Sequence, residues 1–398
     1  MRNFVSKATQ NLRPSGIRRY FDIAATLDDV ITLGIGEPDY TTPDHIMEAG
    51  IGSLRAGQTG YTNNSGMADL REAISAYIER LYGLHYDPYR QVLVTVGVSE
   101  ALWLAFKAIL DPGDEVLVVE PCFVANAAAV EMAGGVAVMV PTYVENQFQV
   151  TGADLEAKIT PRTKAILISY PNNPTGAVLT RERLLEVAAV AEKHDLVVIS
   201  DEIYERLTYD GDHTNFATLP GMLDRTILLS GMSKSFAMTG WRIGYATAPY
   251  TIMDGMRKLH QYLIMSAPTM GQAAAVHALR HGEPDVQQMR ADYDRRRRLI
   301  VDGFNDLGLT CFEPGGAFYT FPSVAHTGMS DEAFCAALLT EERVAVIPGS
   351  AFGESGRGFV RASYTTSYAD IERALERIGR FLQRHGLLVG AHSFAAGG

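Results

Sequence analysis

Thr226-Ile227-Leu228-Leu229-Ser230 runs directly into Gly231-Met232-Ser233-Lys234-Ser235-Phe236-Ala237-Met238-Thr239-Gly240-Trp241-Arg242-Ile243-Gly244. The first five residues read as a strand covered on both faces, because the apolar run is continuous rather than alternating. The small residues after it make a tight turn, and a lysine sits in that turn. An amine held there is partly desolvated, which lowers its pKa and releases a nucleophile for a Schiff base. Arg242 follows eight residues on, where the next strand begins, and a guanidinium there can fork onto a phosphate. One lysine beside a turn is ordinarily a surface residue. The dense surrounding pattern is what reverses that reading.

Outward from this stretch, similar apolar runs occupy residues 92–95, 115–119, 136–140, 165–169, 196–200 and 243–247. All are short and bounded by Gly, Pro, Asp or Asn, and helical periodicity fills the gaps, as at residues 99–110 and 181–194. This alternation predicts an α/β domain with a mostly parallel sheet, whose ligand binds beyond the carboxyl ends of the strands. A long polar helix is expected over 285–307. It carries Arg295, Arg296, Arg297 and Arg298, read as a solvated face neutralised by Asp292, Asp294 and Asp302 rather than as an anion site. Short strands at 317–321, 344–347 and 359–363, with a last helix at 368–385, predict a smaller α+β domain. The expected division is an arm at 1–45 that joins the small domain, a large domain at 46–285 and a small domain at 286–398.

Composition excludes several classes. The chain has 398 residues and a formal net charge of −11. It has no basic tail, so nucleic acid is not an expected partner. Cys122, Cys311 and Cys335 are far apart and odd in number, which argues against a disulfide framework or a metal cluster and for a reducing, cytoplasmic setting. No metal is expected. The first residues lack the apolar core of a signal peptide, and no stretch approaches the roughly 20 apolar residues that span a bilayer. Lysine is scarce: Lys7, Lys107, Lys158, Lys164, Lys193, Lys234 and Lys258 are the full set. Lys7 lies in the arm, and the others except Lys234 fall on expected helices or their connections.

Further chemistry-bearing residues follow other strands. Asp201 ends the run at 196–200, and a carboxylate there is costly unless paired; a protonated pyridine nitrogen would compensate it, while a helix-capping role is equally open. Tyr204, just beyond, could donate to a phenolate oxygen on the same ring. Ser169-Tyr170-Pro171-Asn172-Asn173-Pro174-Thr175-Gly176 fixes a turn that presents an asparagine amide. Gly97-Val98-Ser99 lies between a strand and a helix and makes an anion site of backbone N–H groups and a hydroxyl, or simply a cap. Glu100 fits beside a phosphate only if it points away. Gly34-Ile35-Gly36 lacks the third glycine and the enclosing βαβ unit of a dinucleotide loop.

Taken together, and in this order, these motifs resemble the class I/II aminotransferases, pyridoxal-phosphate enzymes of fold type I, over nearly the whole chain. The resemblance implies that Lys234 bonds pyridoxal 5'-phosphate and moves the proton. Asp201 would hold the ring nitrogen, Tyr204 and Asn173 the ring oxygen, and Arg242 with Gly97, Val98 and Ser99 the phosphate. It further implies that Phe123 stacks on the ring and that Tyr61 reaches the phosphate of a neighbouring subunit, hence a homodimer with shared sites. Arg361 would clamp the substrate α-carboxylate, with Gly36 and Asn173 beside it. One position departs: where several members carry a phosphate-binding serine three residues before the lysine, this chain has Gly231, leaving Ser230 or Ser233 as substitutes. The implied activity is transfer of an amino group from an L-amino acid (aromatic, aspartate or similar) to a 2-oxo acid. A carbon–sulfur β-lyase or a non-catalytic cofactor-sensing domain are the alternatives. The texture of residues 16–22 and 260–262 resembles the aromatic, aspartate and acyl-diaminopimelate branch. Ile17, Tyr262 and Tyr319 could line an aromatic-tolerant pocket or simply pack in the core. No arginine suggests itself for a distal substrate carboxylate.

Overall fold

A computed structural model describes residues 2–6, 9, 10, 12, 16, 23 and 27–388. β1 (Ile31–Thr32) leads to α1 (Asp44–Arg55) and α2 (Ala68–Tyr82). An alternating segment follows: β2 (Val92–Thr95), α3 (Gly97–Ile109), β3 (Glu115–Glu120), α4 (Ala125–Ala133), β4 (Val136–Pro141), α5 (Gly152–Glu156), β5 (Thr163–Ser169), α6 (Arg181–Lys193), β6 (Val197–Asp201), β7 (Thr226–Gly231), the one-turn α7 (Met232–Ser235) and β8 (Gly244–Thr247). These strands form one seven-stranded sheet in the order β2-β8-β7-β6-β5-β3-β4. β8 runs antiparallel to β2 and β7, and the other pairs are parallel. The mixed-but-mostly-parallel sheet matches the expected class.

The continuous apolar runs have a direct cause. Along β3, Leu117 and Val119 pack with Leu184 and Val187 of α6 on one face. Val116 and Val118 pack with Leu102 and Phe106 of α3 and Ala129 of α4 on the other. Neither face meets water, so neither alternate set is polar. Each such side chain contributes roughly 1.5–3 kcal/mol by its burial.

α8 (Tyr250–Leu263), α9 (Thr269–His281) and α10 (Glu283–Asp306) come next. The remaining elements are β9 (Tyr319–Thr320), α11 (Asp331–Glu342), β10 (Val344–Ala345), β11 (Ile347–Pro348), β12 (Val360–Ser363) and α12 (Tyr368–Arg384). β11, β12 and β9 form a small antiparallel sheet. β1 pairs in parallel with β10, and the Ser363 N–H donates to the Leu33 carbonyl at 2.6 Å. That pairing carries the segment after β1 past β12, which places Gly34 and Gly36 beside Arg361.

Two sequence expectations are corrected. The arginine run is not a solvated face. Only Arg295 and Arg298 are exposed; Arg296 and Arg297 are buried. Arg296 pairs with Asp39 and Asp292, each at 2.7 Å. Arg297 pairs with Asp294 at 2.7 Å and Asp210 at 3.0 Å, and donates to the Pro314 carbonyl. At 3.6 residues per turn, four consecutive arginines cannot share one face, and the inward pair is neutralised both by Asp292 and Asp294 of the same helix and by Asp39 and Asp210 from other segments. Lys164 lies within β5, not on a helix or connection, with its amine 2.8 Å from Asp114.

Candidate active site

The carboxyl ends of β2, β3, β5, β6 and β7 lie along one edge of the sheet, and the turns after them enclose a cavity of about 450 Å³. β8 runs the other way, so its start, with Arg242 before it, faces the same edge. Gly36, Val98, Ser99, Phe123, Asn173, Asp201, Tyr204, Ser233, Lys234, Arg242 and Arg361 all line this cavity.

Lys234 sits in α7 and donates from Nζ to the Gly36 carbonyl at 2.7 Å. Its amine lies 5.7 Å from the centre of the Tyr204 ring and 5.6 Å from that of Phe318. Burial lowers its pKa to about 8; the Glu37 carboxylate, also on the cavity, opposes this, and Arg361 and Arg242 reinforce it. Asp201 ends β6 and accepts from the Ile203 N–H at 3.2 Å. Burial raises its pKa to about 6, against a smaller opposing pull from Lys234, and among the described residues no cation stands in ion-pair contact with it.

Arg361 is only 2% exposed. Its guanidinium donates to Asn173 Oδ1 at 2.8 Å and to the Gly34 carbonyl at 2.7 Å, while its Nε is buried without an acceptor. It rests on the Tyr319 and Phe352 rings, 4.5 and 4.8 Å from their centres. Among the described residues no carboxylate pairs with it. A buried cation with only neutral acceptors and one vacant donor is suited to receive an anion.

Tyr319 Oη lies 2.8 Å from Tyr204 Oη. A side chain at position 36 would bring its Cβ within 2.7 Å of that Tyr319 oxygen, so only glycine lets the 34–36 segment approach this closely. On the opposite wall, Gly97 opens α3 at φ +70°. A Cβ there would lie 2.4 Å from Arg242 Nη2. Arg242 itself adopts φ 56°, a conformation costing roughly 1–2 kcal/mol in a non-glycine residue. The guanidinium therefore lies against the helix start, next to first-turn N–H groups that have no intrahelical acceptor. Glu100 does turn away: its Oε2 accepts from the Val96 N–H at 2.5 Å and its Oε1 meets buried His260 Nδ1 at 2.6 Å.

Position 231 and the two serines beside it differ in their surroundings. A Cβ at Gly231 would come 2.9 Å from the Gly244 Cα and the Ile243 carbonyl, so the β7–β8 pairing excludes a side chain there. Ser230 faces Glu205, at 3.4 Å, and only Ser233 opens onto the cavity. Tyr61 is 85% exposed and does not reach the cavity of its own chain. Tyr262 is 89% exposed, so within this chain it neither lines the cavity nor packs in a core. Tyr319 is in the cavity wall, and Ile17 lies outside the described residues.

Several cavity residues went unread in the sequence. Glu37 accepts from Thr239 Oγ1 at 3.0 Å, and both line the cavity with Leu102, Ala125, Ala128, Ala129 and Met132. The alanine-rich face of α4 was the available signal for Ala125, Ala128 and Ala129. Below Asp201, Glu202, Glu205 and His213 bring ligand-type atoms within 4.8 Å of one another. Their oxygens already accept from Ser200 Oγ, the Phe216 N–H, His213 and Tyr82 Oη, so the group reads as a satisfied network that fixes the turn after β6.

The class I and II aminotransferase family matches residues 28–378. An aspartate aminotransferase of Pyrococcus abyssi is 45% identical over 94% of this chain and 96% of its own length. Aromatic-amino-acid aminotransferase 2 of Thermococcus litoralis is 42% identical over 96% and 100%. A solved aspartate aminotransferase from Thermus thermophilus with maleate superposes with a TM-score of 0.91, at 39% identity, covering 96% of this chain and 100% of that one. The chain belongs to the class I and II aminotransferases. It is an enzyme that transfers amino groups.

Proposed function

We propose that the chain binds pyridoxal 5'-phosphate in the cavity and moves an amino group from an L-amino acid, preferentially aromatic, to a 2-oxo acid. The observation that carries this reading is Arg361, a buried guanidinium with no acid partner among the described residues, in the same cavity as half-buried Lys234. The residues fit the cofactor: an orphaned carboxylate (Asp201), a helix start opened by glycine, and an amine held near neutrality.

When bound, pyridoxal phosphate supplies a cationic ring that stabilises negative charge at the substrate α-carbon. Asp201 would keep its nitrogen protonated. Arg242, Ser233, Ser99 and the N–H groups of Gly97 and Val98 would take the phosphate, Asn173 and Tyr204 the ring oxygen, and Phe123 one ring face. Arg361 would exchange neutral acceptors for the substrate α-carboxylate, a stronger, bidentate pairing. That fixes which α-bond stands across the ring. Lys234, released from the Gly36 carbonyl, would carry the proton between the substrate α-carbon and the neighbouring cofactor carbon C4′. Tyr61 would serve the partner's phosphate in a homodimer.

Side-chain preference follows from the wall. Leu102, Phe123, Ala125, Ala128, Ala129 and Met132 are apolar, and the cavity's cations are Lys234, Arg242 and Arg361, each with a task. A second carboxylate finds no obvious cation among the described residues. The test is a half-reaction screen, following loss of the cofactor's visible absorbance with each amino acid and no oxo acid. Fastest loss with tyrosine or phenylalanine supports the reading. Equal or faster loss with aspartate contradicts the preference, and no loss with any amino acid contradicts the assignment.

A further inference from the structure

Away from the cavity, His45 on α1, His277 on α9 and Asp285 in the first turn of α10 are joined through ring nitrogens and one carboxylate, and the His281 ring lies against that of His277. His277 and His281 are four residues apart and so share a helix face, with ring centroids 4.6 Å apart. His45 Nδ1 lies 3.0 Å from His277 Nε2, and His45 Nε2 lies 2.9 Å from Asp285 Oδ2. An ionised carboxylate only accepts, so Nε2 of His45 carries a hydrogen, and Nδ1 is the ring nitrogen that faces His277.

Two nitrogens bound to one tetrahedral zinc-like ion at about 2.0–2.1 Å stand roughly 3.3–3.4 Å apart, so the His45–His277 pair, at 3.0 Å, has to open by only a few tenths of an ångström to share an ion. A carboxylate behind a ligating histidine is also the arrangement that fixes ring orientation and strengthens the ligand. We propose that His45 Nδ1, His277 Nε2 and His281 bind a divalent transition-metal ion of the zinc class, with Asp285 positioning His45. Binding replaces the N–H···N bond between two rings, and His277 shifts its proton to Nδ1. His281 is exposed and reaches the ion by a change of rotamer, and water completes the shell.

The ion would staple α1 to α9 and to the start of α10. α1 begins two residues after Thr42, whose hydroxyl donates to the Ala237 carbonyl at 2.6 Å and accepts from Trp241 Nε1 at 3.0 Å. The staple thus secures the root of the segment that carries Gly36 into the cavity.

Zn²⁺ titrated by calorimetry into tag-free, cofactor-loaded enzyme tests this. One site per chain is expected, with affinity falling at least about tenfold in His277→Ala and in His45→Ala, and about tenfold in Asp285→Asn. At about a hundredfold excess over the wild-type Kd, Zn²⁺ should raise the wild-type Tm by about 2–4 °C and that of His277→Ala by no more than about half as much. No binding up to about 100 µM, where even a weak surface site would register, would overturn the proposal. So would unchanged affinity in both histidine variants. Unchanged affinity in Asp285→Asn alone would overturn the role given to Asp285.

Discussion

At the residue scale, function turns on two cations with opposite problems. Lys234 is desolvated enough to lose its proton easily, and Arg361 is buried so that it wants an anion. For Lys234 the free amine increases as pH rises through about 8, against about 10.4 for an ordinary lysine. Cofactor-free protein should therefore trap a small aldehyde at this residue, after borohydride reduction, with half-maximal rate near pH 8; peptide mass mapping across pH checks it, and a midpoint above about 10 would refute the burial argument. Arg361→Lys keeps the charge but loses the fork. It should raise KM for the amino acid and lower kcat/KM by about 10- to 100-fold, the worth of one or two charged hydrogen bonds. Steady-state kinetics on an α-amino acid and on its decarboxylated amine would separate this from general damage, since only the former should suffer.

At the scale of elements, the strand runs were legible because burial on both faces erases alternation, as in β3. The Lys234 turn was legible because small residues, lysine and arginine each have few reasons to occur at those spacings. Other features were not, because they depend on distant partners. Nothing local marks Arg297 as buried; Asp210 and Pro314 make it so. Tyr262 stands 89% exposed among the described residues, so no packing periodicity could reveal it. Gly231 looked like a departure, but the closeness of Gly244 across the β7–β8 pair explains it. Gly97 is the element-level test. Alanine there must adopt φ +70° and would overlap Arg242. Gly97→Ala should cost about 1–2 kcal/mol in the helix start and weaken cofactor binding by at least about tenfold, through the displaced guanidinium. Fluorescence titration of cofactor-free protein measures it, and unaltered affinity would mean that α3 does not hold the phosphate.

At the scale of the whole molecule, α10 ties the segment after β1 to the rest of the chain. Arg296 holds Asp39, and Tyr40 Oη donates to Asp292 at 2.7 Å, three to four residues past Gly36. The fold class was readable from alternation alone, whereas this clamp needed three dimensions. The shared-site reading also belongs at this scale. Neither Lys234→Ala nor Tyr61→Ala homodimers should work well. Mixed one to one and re-associated, they should regain about a quarter of wild-type activity, because half the dimers are hybrid and each hybrid has one intact site. No regain, with hybrids verified by native mass spectrometry, would place Tyr61 outside the partner's site. The central claim, that Lys234 is the amine that carries the cofactor and the proton, has a more direct test. Cofactor-loaded enzyme is reduced with borohydride, digested and mapped, and Lys234→Ala is assayed in the half-reaction beside it. The pyridoxyl mass should sit on Lys234 alone, and the variant should lose at least about a thousandfold in rate. A label on any of the other six lysines, or a variant that still converts its cofactor with an amino acid, would contradict the account.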